Sequence, residues 1–407
     1  MGSRFWSWLV GGLLSLTAWG QSPIVRFQQD RFVIGSWVEP PLDARADDRY
    51  REMAAAGFNT VIAGFSELNF PRFEDILRRH DLRALISAPS SNPTNWPTSP
   101  VIWGYSLKDE PGAAEFPQLA ARVAAVREAQ PGKLAFINLF PDYASAQQLG
   151  TATYEEHVSR FLREVNVDVL CMDHYPIFHP DRDGRDGYCR NLAVLRQQAL
   201  TAGIPFWNFF NTMPYGPHTD PTESQLRWQV FASLCYGAKG VLYFCYYTPR
   251  GDEFPKGGAI IARDDQPTRH YEQAQRLNAK LMKLGPTLMK LTSTGVYRIQ
   301  PTDSPAEVLK GSGLLNVTRD PVDPPPDYLI GSFRHADGRR AVLLMNYRFA
   351  FSAWPTVVFD APVDQVRELD QRTGRELPVR DESPDLPGLQ ISLADGEGRL
   401  FLLPPLP

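Results

Sequence analysis

The sequence predicts an α/β fold, a (β/α)8 barrel followed by a small antiparallel β-sandwich domain, and three observations carry the prediction. Eight apolar runs follow one another over roughly 260 residues, each ending in loop-forming residues and most leading into an amphipathic stretch. That is close to the ~250 residues typical of such a barrel. The runs are apolar without strict alternation, as parallel strands covered on both faces should be. After about Leu291 helix-length periodicity stops, and short strand-like runs separated by turns take over.

The first strand is expected over 32–37 and its helix over 43–56, with Gly57 as the stop signal. The second pair spans 59–65 and 70–79. The third strand, 83–88, runs into a loop rich in Pro and Asn. The fourth pair spans 101–107 and 114–130, the fifth 133–139 and 154–165, the sixth 167–172 and 188–202. The seventh strand covers 204–210, and its helix starts at Thr222 with Gln225 three residues on, a capping-box pattern. The eighth strand, 240–247, precedes a helix over 268–284. A doubly wound open sheet would need a Gly-rich phosphate fingerprint, and the sequence has none. Beyond 291, strands are expected over 328–333, 340–347, 356–359, 366–369 and 399–403, with turns at Ala336-Asp337-Gly338 and Ala394-Asp395-Gly396 and a Pro-rich loop at 321–326.

The 407 residues carry 42 Lys+Arg against 46 Asp+Glu, a net charge of −4. With no basic run, nucleic acid is excluded as a partner. A charged fraction of 22% and a mean hydropathy of −0.30 exclude a disordered tail and a multi-span membrane protein. Nine Trp, fifteen Tyr and 23 Phe are more aromatic surface than a core needs, and such rings suit binding clefts. At the start, Arg4 precedes an apolar run over 5–19 that ends in Thr17-Ala18-Trp19-Gly20, small residues at the −3 and −1 places of a cleavage site. This reads as an export signal peptide removed near Gly20; the alternative is an uncleaved anchor, for which the run is short. The expected layout is a signal peptide at 1–20, a barrel at 21–291 and a sandwich at 292–407, with the mature protein secreted or periplasmic and without a stable membrane span. Cys171, Cys189, Cys235 and Cys245 fit no zinc spacing and read as buried free thiols.

In this barrel class chemistry lies at the C-terminal ends of the strands. There the sequence offers Trp37 and Glu39 on strand one, Glu67 on strand two, Asp109-Glu110 on strand four and Asn138 on strand five. Strand six ends in Asp173-His174-Tyr175, strand seven carries Trp207, Asn208 and Asn211, and strand eight carries Tyr243, Tyr246 and Tyr247. Acids, amides and aromatic rings on one rim suit sugar chemistry. A glycosidic bond needs an acid for the leaving oxygen and a negative or nucleophilic group for the oxocarbenium-like centre. Asp109 and Glu110 are the expected catalytic residues. Trp37, Asn138, Asp173, His174, Tyr175, Trp207, Asn208, Tyr243 and Tyr246 are the expected substrate contacts, with Asp173 alternatively a nucleophile, a base or the group that orients His174. The competing reading of Asp109-Glu110-Pro111 is an ordinary acidic turn at a helix start. Neither a metal nor a cofactor is implied, since Asp173, His174 and His179 lack a zinc spacing, and no esterase-type nucleophile elbow is present.

The segment Trp103-Gly104-Tyr105-Ser106-Leu107-Lys108-Asp109-Glu110-Pro111 resembles the strand-four signature of barrel glycoside hydrolases. In the β-galactosidase-like clan that place reads Asn-Glu-Pro with Glu as acid/base, so the resemblance gives Glu110 that role. It departs at strand seven, where the clan keeps its nucleophilic Glu and 204–214 has no carboxylate; Glu223 falls in the next helix's first turn, where acidic residues are structural. The adjacent Asp-Glu pair is similar to that of substrate-assisted β-N-acetylhexosaminidases and β-N-acetylgalactosaminidases. That resemblance implies that Asp109 polarises a 2-acetamido group, that Glu110 is acid and then base, and that a hydroxyl such as Tyr175 or Tyr246 holds the acetamido oxygen. The change from Asn to Asp fits, because a carboxylate only accepts and so prefers an N–H partner, and two close acids raise one pKa. Three functions stay open: a retaining hydrolase of β-linked 2-acetamido sugars, a β-galactosidase-like hydrolase with Glu110 and a separate carboxylate nucleophile, and a non-catalytic carbohydrate-binding protein. The partner in each is an oligosaccharide or glycoconjugate. Oligomeric state is not fixed by the sequence.

Overall fold

A computed structural model describes residues 25–179, 182–318 and 327–406. The expected signal peptide and the Pro-rich loop at 321–326 lie outside the described residues. Eight parallel strands, β1 (Val33–Ser36), β2 (Thr60–Ala63), β3 (Arg83–Ser87), β4 (Ile102–Asp109), β5 (Leu134–Asn138), β6 (Leu170–Asp173), β7 (Phe206–Asn211) and β8 (Gly240–Phe244), pair in chain order, with β8 on β1. The seam between β5 and β6 is closed by a parallel bridge between Leu139 and Met172 and by the Leu139 amide on the Cys171 carbonyl at 2.9 Å. The sheet is therefore a barrel.

Helices α1 (Ala46–Ala55), α2 (Phe70–Arg79), α3 (Phe116–Ala129), α4 (Ala146–Leu149), α5 (Tyr154–Val165), α6 (Arg185–Ala202), α7 (Glu223–Cys235) and α8 (Arg269–Leu288) connect the strands. Between β3 and β4 the chain makes only a 3-10 turn at Pro93–Asn95, capped by Asn92, whose side chain accepts from the Thr94 amide. Three prolines in the nine residues after Asn92 keep this stretch from forming a helix. Residues alternate along each strand. Val33, Ile62, Leu85, Phe136, Cys171, Phe209 and Leu242 fill the barrel, while Ile34, Val61, Ile86, Ile137, Met172, Phe210 and Val241 face the helices. Both sets are apolar, which is why the strands read as unbroken runs.

The C-terminal part holds a six-stranded antiparallel sheet, in the order β15 (Glu376–Pro378), β14 (Arg367–Leu369), β17 (Gly398–Leu403), β12 (Arg340–Asn346), β11 (Tyr328–His335), β9 (Leu291–Ile299). A three-stranded sheet of β10 (Leu314–Thr318), β13 (Thr356–Phe359) and β16 (Leu389–Gln390) faces it, with the short helix α9 (Pro305–Val308) leading into β10. The large sheet is apolar on both faces. Leu343 and Met345 of β12, and Leu400 and Leu402 of β17, pack on the barrel, whereas Val342, Leu344, Phe401 and Leu403 fill the sandwich core. Helix α7 lies between barrel and sheet, and for that reason is buried nearly all round.

Gly331 lies where β11 packs tightly against the end of α7. A Cβ there would stand 2.4 Å from the Cys235 carbonyl oxygen and 2.8 Å from its Cα, backbone atoms that cannot swing aside. Gly331→Ala is expected to destabilise the chain by ~1–3 kcal/mol through overpacking. A fall in the denaturant midpoint checks it, and an unchanged midpoint would mean that the sheet shifts freely on α7.

Candidate active site

Three strand ends build the site. Near its end β4 is irregular, its register against β5 shifting between Ser106 and Lys108. This re-aims the last residues of the strand. Glu110 follows with φ +47, a conformation non-glycine residues rarely adopt, and it is held there by its amide on the Asn138 carbonyl at 2.8 Å. Asp109 and Glu110 thus leave the strand together at the barrel mouth, where the surrounding loops partly desolvate both, although Asp109 keeps one side accessible to solvent.

Asn138, at the end of β5, ties this pair to β6. Its buried Nδ2 donates to Asp109 Oδ1 at 3.1 Å and to Asp173 Oδ1 at 2.8 Å. One nitrogen touching both acids holds their nearer oxygens within two hydrogen-bond lengths of each other. The electrostatics follow from three carboxyl groups crowded around one amide. Burial, then the charge of Asp109, pushes Glu110 up to about 7. Burial raises Asp109 too, opposed by the Asn138 hydrogen bond and by Lys108. Asp173, deeper, is pushed well above the carboxylate range by burial and by Glu110, against the Asn138 hydrogen bond, and so favours its protonated form. The set holds an acceptor bonded to the Asn138 amide (Asp109), an acid poised near neutrality (Glu110) and a deeply buried carboxyl that burial pushes toward its protonated form (Asp173).

Trp37 stands at the same mouth, its ring 5.7 Å from Phe209 and 6.1 Å from Phe244. Tyr175 faces inward beside Phe244 at 5.3 Å and Tyr215 at 5.6 Å. His174 alternates to the outer side, where Nδ1 lies 3.0 Å from Asn191 Oδ1 and 3.3 Å from Asp142 Oδ1. It braces the loop after β5 rather than lining the cleft. The other expected contacts are not brought to the rim. Trp207 points into the barrel but in its lower layer, donating from Nε1 to Gln29 at 2.9 Å. Asn208 and Tyr243 face the helices, bonded to the Tyr188 hydroxyl and to Asn278 Oδ1, each at 2.7 Å. Tyr246 packs in the outer layer against Phe58, centroids 5.2 Å apart. At the end of β7 stands Asn211, fully buried, and Glu223 is engaged by Arg276 at 2.9 Å on the first turn of α7.

The structure adds residues the sequence reading passed over. Tyr143, in the β5–α4 loop, packs its ring edge-on to His174 with centroids 5.0 Å apart; burial first, then the charges of Asp173, Glu110 and Asp142, raises its pKa and keeps it a phenol and hence a donor. Tyr215, Phe244 and Phe254 extend the aromatic wall beside Tyr175. The loop position of Tyr143 after a barrel strand was the available signal, since such loops carry function. Among the described residues no group of three or more His, Cys, Asp or Glu is placed to hold a metal, and the four cysteines are free thiols.

No protein-family model and no curated protein sequence matches this chain. Solved structures do. A GH42 β-galactosidase from G. stearothermophilus aligns with a TM-score of 0.58 at 10% identity over 93% of this chain and 99% of its own. A β-galactosidase from Bacillus circulans sp. alkalophilus aligns with a TM-score of 0.57 at 10% identity over 92% and 99%. This chain shares their fold. A β-galactosidase from Marinomonas ef1 aligns with a TM-score of 0.49 at 11% identity over 62% of this chain, which spans only 60% of that enzyme's length. At such identities the likeness concerns the fold, and the chemistry rests on the site itself.

Proposed function

We propose that the chain is a glycoside hydrolase that cleaves β-linked 2-acetamido sugars in the manner of β-N-acetylgalactosaminidases and hexosaminidases. We also propose that it acts outside the cytoplasm, on the strength of the signal-peptide pattern over residues 1–20. The observation that carries the reading is the placement of Asp109 and Glu110 together at the barrel mouth, joined through Asn138 and with Glu110 pushed up to about 7 by burial and by the charge of Asp109, while β7 ends in an amide. Glu110 donates its proton to the leaving oxygen as the substrate's own acetamido oxygen bonds to the anomeric carbon. Asp109 accepts from the acetamido N–H and opposes the developing positive charge. Glu110 then takes a proton from the water that opens the cyclic intermediate, which restores the acid. The phenols of Tyr143, Tyr175 and Tyr215 supply donors for the acetamido oxygen or the ring hydroxyls.

The aligned β-galactosidases support a second reading, a hydrolase of plain galactosides with a carboxylate nucleophile, for which Asp173, linked to Asp109 through Asn138, is the candidate. Its burial, which favours the protonated form, argues against that role. A panel of aryl glycosides separates the two. Turnover confined to 2-acetamido sugars, inhibition by a thiazoline analogue and no covalent glycosyl adduct after a 2-fluoro galactoside are the expected results. Turnover of plain galactosides with a mass-detected adduct on Asp173 would replace the first reading with the second. Saccharide binding without turnover on any substrate would leave a carbohydrate-binding protein.

A further inference from the structure

At the barrel's underside, away from Asp109 and Glu110, a cavity of about 750 Å³ opens between the α6–β7 connection, the segment 26–29 and the first residues of β9. Its wall is of two kinds. Leu200, Ile204, Phe206 and Met289 give apolar surface, and Arg196 and Lys239 bring positive charge. Arg196, from α6, donates Nε to Ser293 Oγ on β9 at 2.7 Å. Lys239, just before β8, donates Nζ to the carbonyl oxygens of Leu288 and Leu291. Both cations are therefore anchored on neutral oxygens around the α8–β9 junction.

Among the described residues neither cation is ion-paired to a carboxylate. Asp168, the acid on this wall, is already engaged by Arg26 at 2.5 Å and Arg127 at 2.9 Å. Burial lowers the pKa of both groups, that of Lys239 to about 8. Desolvated cations without a counter-charge are costly, and an anion brought between them would offset that cost.

We propose that this cavity is a second binding site, for an amphiphilic organic anion whose carboxylate, phosphate or sulfate head lies between Arg196 and Lys239 and whose apolar body rests on Leu200, Ile204 and Met289. The guanidinium offers the fork that such heads accept, and the apolar wall explains why a bare inorganic ion would bind less well.

The test uses the full chain with phenyl phosphate, inorganic phosphate and neutral phenol as probes, followed by calorimetry and thermal melting. Saturable phenyl phosphate binding that raises Tm by about 2–4 °C is expected, with phenol without effect and inorganic phosphate weaker. Arg196→Gln should weaken binding at least ~10-fold, and Arg196→Lys, which keeps charge but not the fork, less so. The Glu110→Gln chain should bind phenyl phosphate as the unaltered chain does, which separates this cavity from the carboxylate site. Equal binding by Arg196→Gln, an equal response to phenol, loss of binding in Glu110→Gln, or no saturable binding would each overturn the proposal. Should Arg196→Gln fail to fold, Lys239→Gln carries the same expectation.

Discussion

Glu110→Gln is expected to lower kcat/KM on substrates with poor leaving groups by ~10²–10⁴-fold, and by much less on activated aryl glycosides that leave without a proton. The amide keeps the size of the acid and removes only the proton it delivers. The pH profile gives a second readout. Glu110 is competent while protonated, so kcat/KM of the unaltered enzyme should fall as pH rises through about 7, and Glu110→Gln should erase that limb. Stability falls with rising pH too, over a window that starts lower. A carboxyl with an ordinary value of 4.5 raised to about 7 on folding binds its proton more tightly in the native state. It therefore costs nothing below 4.5, destabilises progressively as pH climbs from 4.5 to 7, and destabilises fully above that window. Glu110→Gln should leave stability unchanged at pH 4 and raise it by ~1–3 kcal/mol at pH 8, the lower end allowing for partial exposure. Denaturant titrations at the two pH values check this. An active Glu110→Gln on poor leaving groups would remove Glu110 as the acid.

Asp109→Asn is the other large effect, an expected loss of ~10²–10³-fold in kcat from removing the charge that faces the reacting centre. The substitution preserves shape, and Asn138 still has a carbonyl oxygen to meet. Its signature lies in Glu110. The charge of Asp109 is the second cause, after burial, of the raised Glu110 pKa. Asp109→Asn should therefore move the basic limb of the kcat/KM profile to lower pH, leaving it still above 4.5 because burial persists. A group that only shaped the turn would lower the rate without moving the limb, and a stationary limb would return Asp109 to that role.

The barrel was legible because eight apolar runs at regular spacing, broken by loop residues, have few other solutions. The sandwich was legible in outline, yet β9, β10, β15 and β16 escaped. Strand β9 continues almost directly from α8, and β15 and β16 have three and two residues, too short for a period to register. At the site, Asp109 and Glu110 stood out because two adjacent acids before a proline at a strand end admit few explanations. Trp207, Asn208 and Tyr243 show the limit of such reading. On β7 and β8 both faces are apolar and aromatic, so the alternation that separates lumen from helix layer leaves no mark in the residue types. Position along a strand decided Trp207, whose neighbour is Gln29 on the underside rather than the acids at the mouth.

The chain order of residues determined which groups exist and on which strand ends they fall: an acid pair after β4, an amide after β5, an acid after β6 and no acid on β7. Only the folded barrel decided that the Asn138 amide bridges Asp109 and Asp173, that His174 turns outward to Asp142 and Asn191, and that Tyr143 reaches the acids from a loop. The reason is geometric. Facing and depth are set by register around a closed sheet, a property of eight strands at once that no single run of residues carries.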